Sequence, residues 1–399
     1  MRSTKTCETK PNEQLLSNKA DKESMAYTVI IVGGGLAGLV SALHLSKQGL
    51  SVLLLEKNEY PKHKVCGEYI SNEVLPYFQA LDFDPFEFGA KAITNLTLST
   101  VGSKSIHAKL PLGGFSISRY CIDWELAKKA ESNGANILQA NVMDIQFKNN
   151  QFEVFTNQNK KYTSEILIGS FGKRSSLDVK MNRDFLRKST PFFGVKAHYK
   201  GNLPEDAVGL HNFKGGYCGI SKVENNLVNV CYIADFELFK KFKNIDEFQR
   251  DVLSKNTFLK EVFDTYELTF KKPLIISQIS FSEKQAVENH VLMCGDSAGM
   301  IHPLAGNGMS MAIRAAQMAC KHILKFKSGE IPSRAEMEKQ YTQSWNNEFS
   351  ARLKSGHIIS RLFRLGLFSE IIMLFLKTFP FLMPFIISKT HGKPLKAEL

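Results

Sequence analysis

The sequence predicts an α/β protein in which a parallel, helix-wrapped sheet is interleaved with an antiparallel sheet and followed by a helical C-terminal tail. Three stretches predict it. Tyr27 to Lys57 reads as strand, glycine turn, helix and strand; about Pro191 to Ile233 alternates apolar and polar residues; Leu362 to Ile387 is the most apolar run. In the first stretch, Val29 to Val32 is a β-branched run suited to a buried parallel strand. Gly33-Gly34-Gly35-Leu36-Ala37-Gly38 follows at once and opens a helix whose apolar side carries Leu39, Ala42, Leu43 and Leu45. A second apolar run, Val52 to Leu55, ends in Glu56, with Lys57 beside it.

That context gives the G-x-G-x-x-G spacing its meaning. Gly33 permits the tight turn, Gly35 lets backbone approach a pyrophosphate, and Gly38 lets helix and strand pack closely. The first-turn N–H groups around Leu36, Ala37 and Gly38 carry the positive end of the helix dipole toward the phosphates. Glu56 sits where a carboxylate accepts from both ribose hydroxyls of an adenosine. The expectation is an adenine dinucleotide site.

With 399 residues the chain has length for two or more domains. Its formal net charge of +12 suits nucleic acid, an anionic membrane surface or acidic ligands. No paired Cys/His spacing and no RNA-binding signature accompanies the charge, so nucleic acid is not expected as a partner. The seven cysteines are scattered without a C-x-x-C, which argues against a disulfide framework or a metal site and for a reducing, cytoplasmic compartment. No apolar secretory segment is read at the N-terminus. Residues 1–25 are polar and expected to be disordered, and Met25 is a candidate translation start.

After Glu56 a turn-rich exit leads to His63-Lys64-Val65-Cys66-Gly67-Glu68-Tyr69-Ile70-Ser71, a loop with a helix start at Ser71. In such a fold this loop runs past the redox end of the dinucleotide, so Cys66 and Glu68 are candidates for proton donation. Ala92 to Thr100 and Lys104 to Lys109 read as a hairpin, Ile122 to Asn133 as a helix ended by Gly134. The strand Asn136 to Gln139, a hairpin of Val142 to Phe147 with Phe152 to Phe155, and the strand Ser164 to Gly169 follow. Phe192 to Tyr199, Gly209 to Phe213, Gly216 to Ser221 and Leu227 to Ile233 form the separate sheet expected to wall the substrate. Phe236 to Phe263 is helical and basic, and Leu274 to Ile279 and His290 to Cys294 are strands. Asn307 to Phe326 and Arg334 to His357 are amphipathic helices. The expected division is 26–80, 110–180 and 285–330 for the nucleotide domain, 81–109 and 181–284 for the substrate domain, and 331–399 for the tail.

A second motif lies about 260 residues beyond the first: Gly295-Asp296-Ser297-Ala298-Gly299 through Gly306-Asn307-Gly308-Met309. A buried strand ends in Gly-Asp, a loop of small residues follows, and a helix starts near Gly308. Asp296 can accept from a ribityl hydroxyl, and N–H groups at Gly306 to Met309 can hold the anionic edge of a reduced flavin. Two such distant sites suit an elongated FAD.

With both motifs the chain resembles the FAD-dependent superfamily of para-hydroxybenzoate hydroxylase-type monooxygenases and geranylgeranyl reductases. The likeness spans about Tyr27 to Phe326 through VGGGLAG, KVCGEYIS, SRYCIDWELA and GDSAGMIHPLAGNGMSMA. It implies a Rossmann-like FAD-binding domain of the glutathione reductase type. It also implies that Arg119 binds near the pyrophosphate, Val142 lies by the adenine and Asp296 takes the ribityl chain. Cys66-Gly67-Glu68 and Gly299 look like the reductase branch. Phe171-Gly172 stands where the hydroxylases usually have Asp-Gly, which weakens the case for direct use of NAD(P)H. NAD(P)H and an electron-donating reductase both stay open as donors. The halogenase signature W-x-W-x-I-P is absent.

The resemblance and the apolar tail together imply a lipophilic small-molecule substrate. Reduction of a C=C bond by hydride from reduced FAD is the first reading, with Cys66, Glu68, Tyr69 or His302 as the acid. Aromatic hydroxylation, a non-redox cyclase or isomerase, and a prenyl-binding escort are the alternatives. Glu370, Lys377, Pro380 and Pro384 interrupt the tail. It is therefore expected either as an in-plane foot on the inner face of the membrane, flanked by cations, or as a lid on the substrate domain.

Overall fold

The computed structural model describes residues 26–187, 192–279, 281–301, 306–364, 374–379, 381–388 and 391–399. The N-terminal extension, His302 and parts of the tail lie outside them. In the first sheet, the strands Val291–Met293, Lys161–Gly169, Ala26–Val32, Val52–Glu56 and Asn136–Gln139 run parallel in that order. Val29 is in register with Val52 on one side and Ile166 on the other. Val29 to Val32 and Val52 to Leu55 are buried throughout, as strands covered on both faces require. The hairpin Val142–Lys148 with Gln151–Thr156 adds to the sheet antiparallel to Lys161–Gly169. The helix Leu36–Lys47 is buried nearly all round because it is wedged among the sheet, Arg119–Ser132 and Gly308–Lys327.

The second sheet orders Glu267–Leu268, Phe192–Lys200, Leu227–Asp235, Gly216–Lys222, Ala207–Phe213, Lys91–Ser99, Ser105–Ser116 and Tyr69–Ser71, with Leu274–Ile279 also on Phe192–Lys200. All pairs are antiparallel except Ala207–Phe213 with Lys91–Ser99. Alternation divides Phe192–Lys200 cleanly. Phe193, Val195, Ala197 and Tyr199 pack with Phe248, Leu253 and Leu259 of the covering helices, while Lys196 and His198 point the other way.

Two expectations are corrected. The boundary placed between residues 109 and 110 falls inside the strand Ser105–Ser116, which bulges near its middle and stays in the substrate sheet to its end. The helical stretch after Phe236 is three short helices, Phe236–Phe239, Ile245–Asp251 and Thr257–Thr265. Asn244 and Asn256 divide it: each side chain accepts from a first-turn N–H, of Glu247 and Phe258 respectively, and so starts a new helix.

The tail begins with the long helix Arg334–Arg364 and ends in Leu382–Ser388, which lies on Ser105–Ser116. Beyond it Leu395 N–H donates to the Glu73 carbonyl at 2.7 Å, strapping the C-terminus back to the first domain. No helix among the described residues is long and apolar enough to cross a membrane.

Among the described glycines, Gly38 lies closest to neighbouring backbone. A Cβ there would collide with the Gly33 carbonyl oxygen and stand 2.7 Å from Ser170 Oγ, itself hydrogen-bonded to Gly33 O. Gly38→Ala should therefore cost about 3 kcal/mol or more of apoprotein stability, read as a lowered thermal midpoint by circular dichroism. An unchanged midpoint would contradict this packing.

Candidate active site

The glycine turn builds an opening rather than a filled surface. Gly33 adopts φ +103°, where its N–H donates to Leu55 O at 2.8 Å and a side chain would strike the Ser170 backbone. At Gly34 the N–H donates to Glu56 Oε2 at 2.7 Å and the carbonyl accepts from Tyr60 Oη at 2.6 Å and Lys64 Nζ at 3.1 Å. Gly35 is different. Among the described residues outside its own helix, Arg119 Nη2 stands nearest a notional Cβ there, at 3.6 Å, so backbone and guanidinium face a shared space. No side chain caps the helix that starts at Leu36, which leaves the N–H groups of Leu36, Ala37 and Gly38 available at its end. Glu56 also accepts from Asn58 N at 3.0 Å and Asn58 Nδ2 at 2.6 Å. Lys57 next to it is exposed. Val142 is buried just past Ala140, whose N–H donates to Glu56 O at 2.9 Å.

Arg119 is held in place by a bidentate pair with Asp123, 2.7 Å at both contacts, and Lys64 reaches the same carboxylate at 2.9 Å. Burial alone would raise the Asp123 carboxyl; the two cations outweigh it and lower it.

The second motif meets the first directly. Gly295, at φ +60°, faces Ala37, whose Cβ lies 3.3 Å from where a Gly295 Cβ would sit. Asp296 follows in a single 3₁₀ turn. Burial raises its carboxyl, against the opposing charges of Lys284, Lys173 and Arg119. Lys284 Nζ donates to Asp296 O at 2.7 Å and Lys173 O at 2.8 Å, so the two lysines and Asp296 form one group. Burial lowers both lysines to about 8. Gly308 opens the helix Gly308–Lys327 with no capping side-chain hydrogen bond, and among the described residues Ile301 stands 3.9 Å from a notional Gly308 Cβ. Gly306 lies against the Tyr69 ring. Asp296, Gly308, Trp345 and Phe349 line one small opening.

The Cys66–Glu68 loop joins these halves to the second sheet. Cys66 Sγ is 3.5 Å from Met309 Sδ at the helix start. Burial raises the thiol, with the Arg119 charge opposing, so it carries its proton at neutral pH. Glu68 is fully buried in the left-handed region at φ +57°. Its carboxylate takes a short hydrogen bond from Lys196 Nζ, pairs with His198 Nε2 at 2.8 Å and accepts from Arg119 N–H at 2.7 Å. Burial would raise this carboxyl, but Lys196 and His198 overcome it and hold it at about 2. That changes the expectation for Glu68: an ionised carboxylate has no proton to give. Asn229 Nδ2 donates to Gly67 O at 2.9 Å and fixes the loop from the sheet side.

A family model for FAD-dependent oxidoreductases (DAO) matches residues 28–65, the glycine turn and its two strands. The chain is an FAD-dependent oxidoreductase. It is 21% identical to a digeranylgeranylglycerophospholipid reductase of Methanococcus vannielii over 356 residues, covering 83% of both chains. Among solved structures it resembles the flavin-dependent brominase Bmp2, with TM-score 0.75, 18% identity and coverage of 92% and 93% of the two chains. A geranylgeranyl bacteriochlorophyll reductase-like protein of Thermoplasma acidophilum gives TM-score 0.68 at 16% identity, covering 85% and 88%. At such identities the structural likenesses establish the fold.

The residues fit FAD. The opening at Gly35 beside Arg119 suits a diphosphate, Glu56 at the strand end a ribose, and Asp296 a ribityl chain. The uncapped start at Gly308 suits an anionic ring edge. Sequence reasoning had not reached Lys64, Tyr60, Asp123, Lys284, Lys196 or His198 as parts of this oxidoreductase's site. Lys196 and His198 did leave a signal: two cationic-type residues two apart in an otherwise apolar strand share one face.

Asp296→Ala and Gly35→Val should each lose FAD on gel filtration while the apoprotein keeps its thermal midpoint. Retained flavin in both would remove the site as drawn. Glu68→Gln leaves Lys196 buried without its counter-charge and should cost about 3 to 5 kcal/mol, by chemical denaturation. The folded Glu68 value lies below the unfolded one of about 4.3, so its stabilisation is complete above that pH. It is lost as pH falls toward 2, and the wild-type and Glu68→Gln curves should converge there.

Proposed function

We propose that this oxidoreductase saturates a carbon–carbon double bond in a lipophilic, prenyl-like substrate. The supporting observation is the protonated, half-buried Cys66 thiol held against Met309 at the expected flavin end, together with near full-length similarity to lipid reductases. Reduced FAD, when bound, supplies a hydride. Arg119 and the Leu36–Gly38 N–H groups would hold its diphosphate, Glu56 its ribose, Asp296 its ribityl chain and the Gly308 helix start its anionic edge. Cys66 Sγ holds the second hydrogen as a proton for the neighbouring carbon, so one hydride and one proton convert C=C to CH–CH. The thiolate left behind takes its proton back from solvent between turnovers. Glu68 does not move a proton. It anchors the loop that aims Cys66. NAD(P)H or an electron-donating reductase returns the two electrons.

The test is an anaerobic single turnover. Chemically reduced holoenzyme mixed with a digeranylgeranylglycerophospholipid should regain oxidised flavin absorbance and give product two mass units heavier per bond. Cys66→Ser should bind FAD normally and slow this step about a hundredfold. The wild-type rate should hold through neutral pH and fall only above the ordinary thiol range. Product formed only with oxygen present would instead mean a hydroxylase.

A further inference from the structure

We propose that the ridge Leu374, Phe375, Phe379 and Phe381 docks the protein on an anionic membrane surface, lying in the plane of the interface. Exposed large apolar side chains elsewhere among the described residues are scattered: Met143, Val179, Phe236, Leu268, Ile275 and Leu399. Here four gather within eight residues with Phe385 exposed just beyond them, and Phe381 at 71% is the most exposed large apolar side chain among the described residues. Phe375 and Phe379 are in ring contact at 4.9 Å, and Phe379 meets Phe381 edge-on at 6.1 Å, so the ridge is continuous. Such a patch marks an interaction site.

The ridge is presented by an anchored element. Leu376, Met383 and Ile387, on the inner side of the same segment, are buried against Ile93, Leu96, Leu98, Ile106 and Val208 of the second sheet. The lid and the foot expected of this tail are thus two faces of one structure. Its inner face covers the sheet and its outer face holds the aromatics.

Charge identifies the occupant. Over residues 350–399 there are eight lysines and arginines and two glutamates, and no acid lies between Ile371 and Ala397. Lys377 is exposed between Phe375 and Phe379. Aromatic side chains at the acyl boundary with lysine reaching the headgroups are the arrangement of an interfacial anchor. A second copy of this chain is a poorer match. In a two-fold pairing the same cation-bearing patch would face itself with no carboxylate to neutralise it. The described helices of this segment are too short to span a bilayer, so the contact is in-plane. The proposal rests on this surface and not on the reading of the reaction.

FAD-loaded full-length protein is sedimented with phosphatidylcholine vesicles, with and without phosphatidylglycerol. Wild type should pellet with the anionic vesicles, less so in high salt. The triple variant Phe375→Ser, Phe379→Ser, Phe381→Ser should bind at least about tenfold more weakly. Lys377→Glu should reduce the preference for phosphatidylglycerol. Unchanged flavin absorbance and thermal midpoint in the variants show that the fold survives. The proposal is overturned by wild type remaining in the supernatant, by the triple variant pelleting equally, or by a wild-type dimer that the triple variant converts to monomer.

Discussion

The molecule is organised by one close approach: Ala37 of the first helix against Gly295 of the second motif. A side chain at 295 would push the two segments apart, and φ +60° makes a non-glycine residue there strained as well. Because they touch, the Gly35 opening and the uncapped helix start at Gly308 are carried on adjoining segments. The remaining packing serves this approach. Gly38 lets Leu36–Lys47 settle on the turn, and Ser170 Oγ ties Gly33 to the end of the neighbouring strand. Lys284 closes the far side by bridging the backbone of Lys173 and Asp296.

The second sheet is fastened to these segments by a buried ionic knot rather than by apolar surface alone. Glu68 receives Lys196 and His198 from one strand of the sheet and the Arg119 N–H from a helix start of the first domain. Removing three such groups from water is expensive, and an apolar substitute of equal volume could be equally stable. What the ionic version adds is direction. A carboxylate with three donors fixed around it admits one position of the loop, and that loop carries Cys66 to Met309.

The parts of the fold legible in the sequence are those set by local pattern. The apolar runs at Val29 and Val52, the glycine spacing, and the alternation from Phe192 to Ile233 each follow from backbone geometry and burial over a few residues. The open glycine positions of the candidate site, Gly35 and Gly308, were legible for the same reason, since backbone approach demands glycine at particular offsets. The partners of Glu68 were not, because Lys196 and His198 lie some 130 residues away and are joined to it only by the docking of two domains. The extent of Ser105–Ser116 was obscured by Pro111, Gly113 and Gly114, which a local reading takes as a turn. In the structure these residues sit in or beside an edge pairing with Tyr69–Ser71 that tolerates them.

Charge balance around the two helix starts points to what they hold. Arg119 and Lys64 share the carboxylate of Asp123 beside Gly35, with the Glu56 carboxylate on the Gly34 N–H next to them. Lys173 and Lys284 likewise surround Asp296, which burial already inclines toward its neutral form. Burial lowers both lysines toward the pH at which they would shed their protons. Cations thus stand near both helix starts, and their burial carries a desolvation cost. A dianionic diphosphate at the first helix start and an anionic ring edge at the second would relieve it, each meeting free N–H groups as well as a cation. An anionic dinucleotide is the occupant that these cations and helix starts suit best.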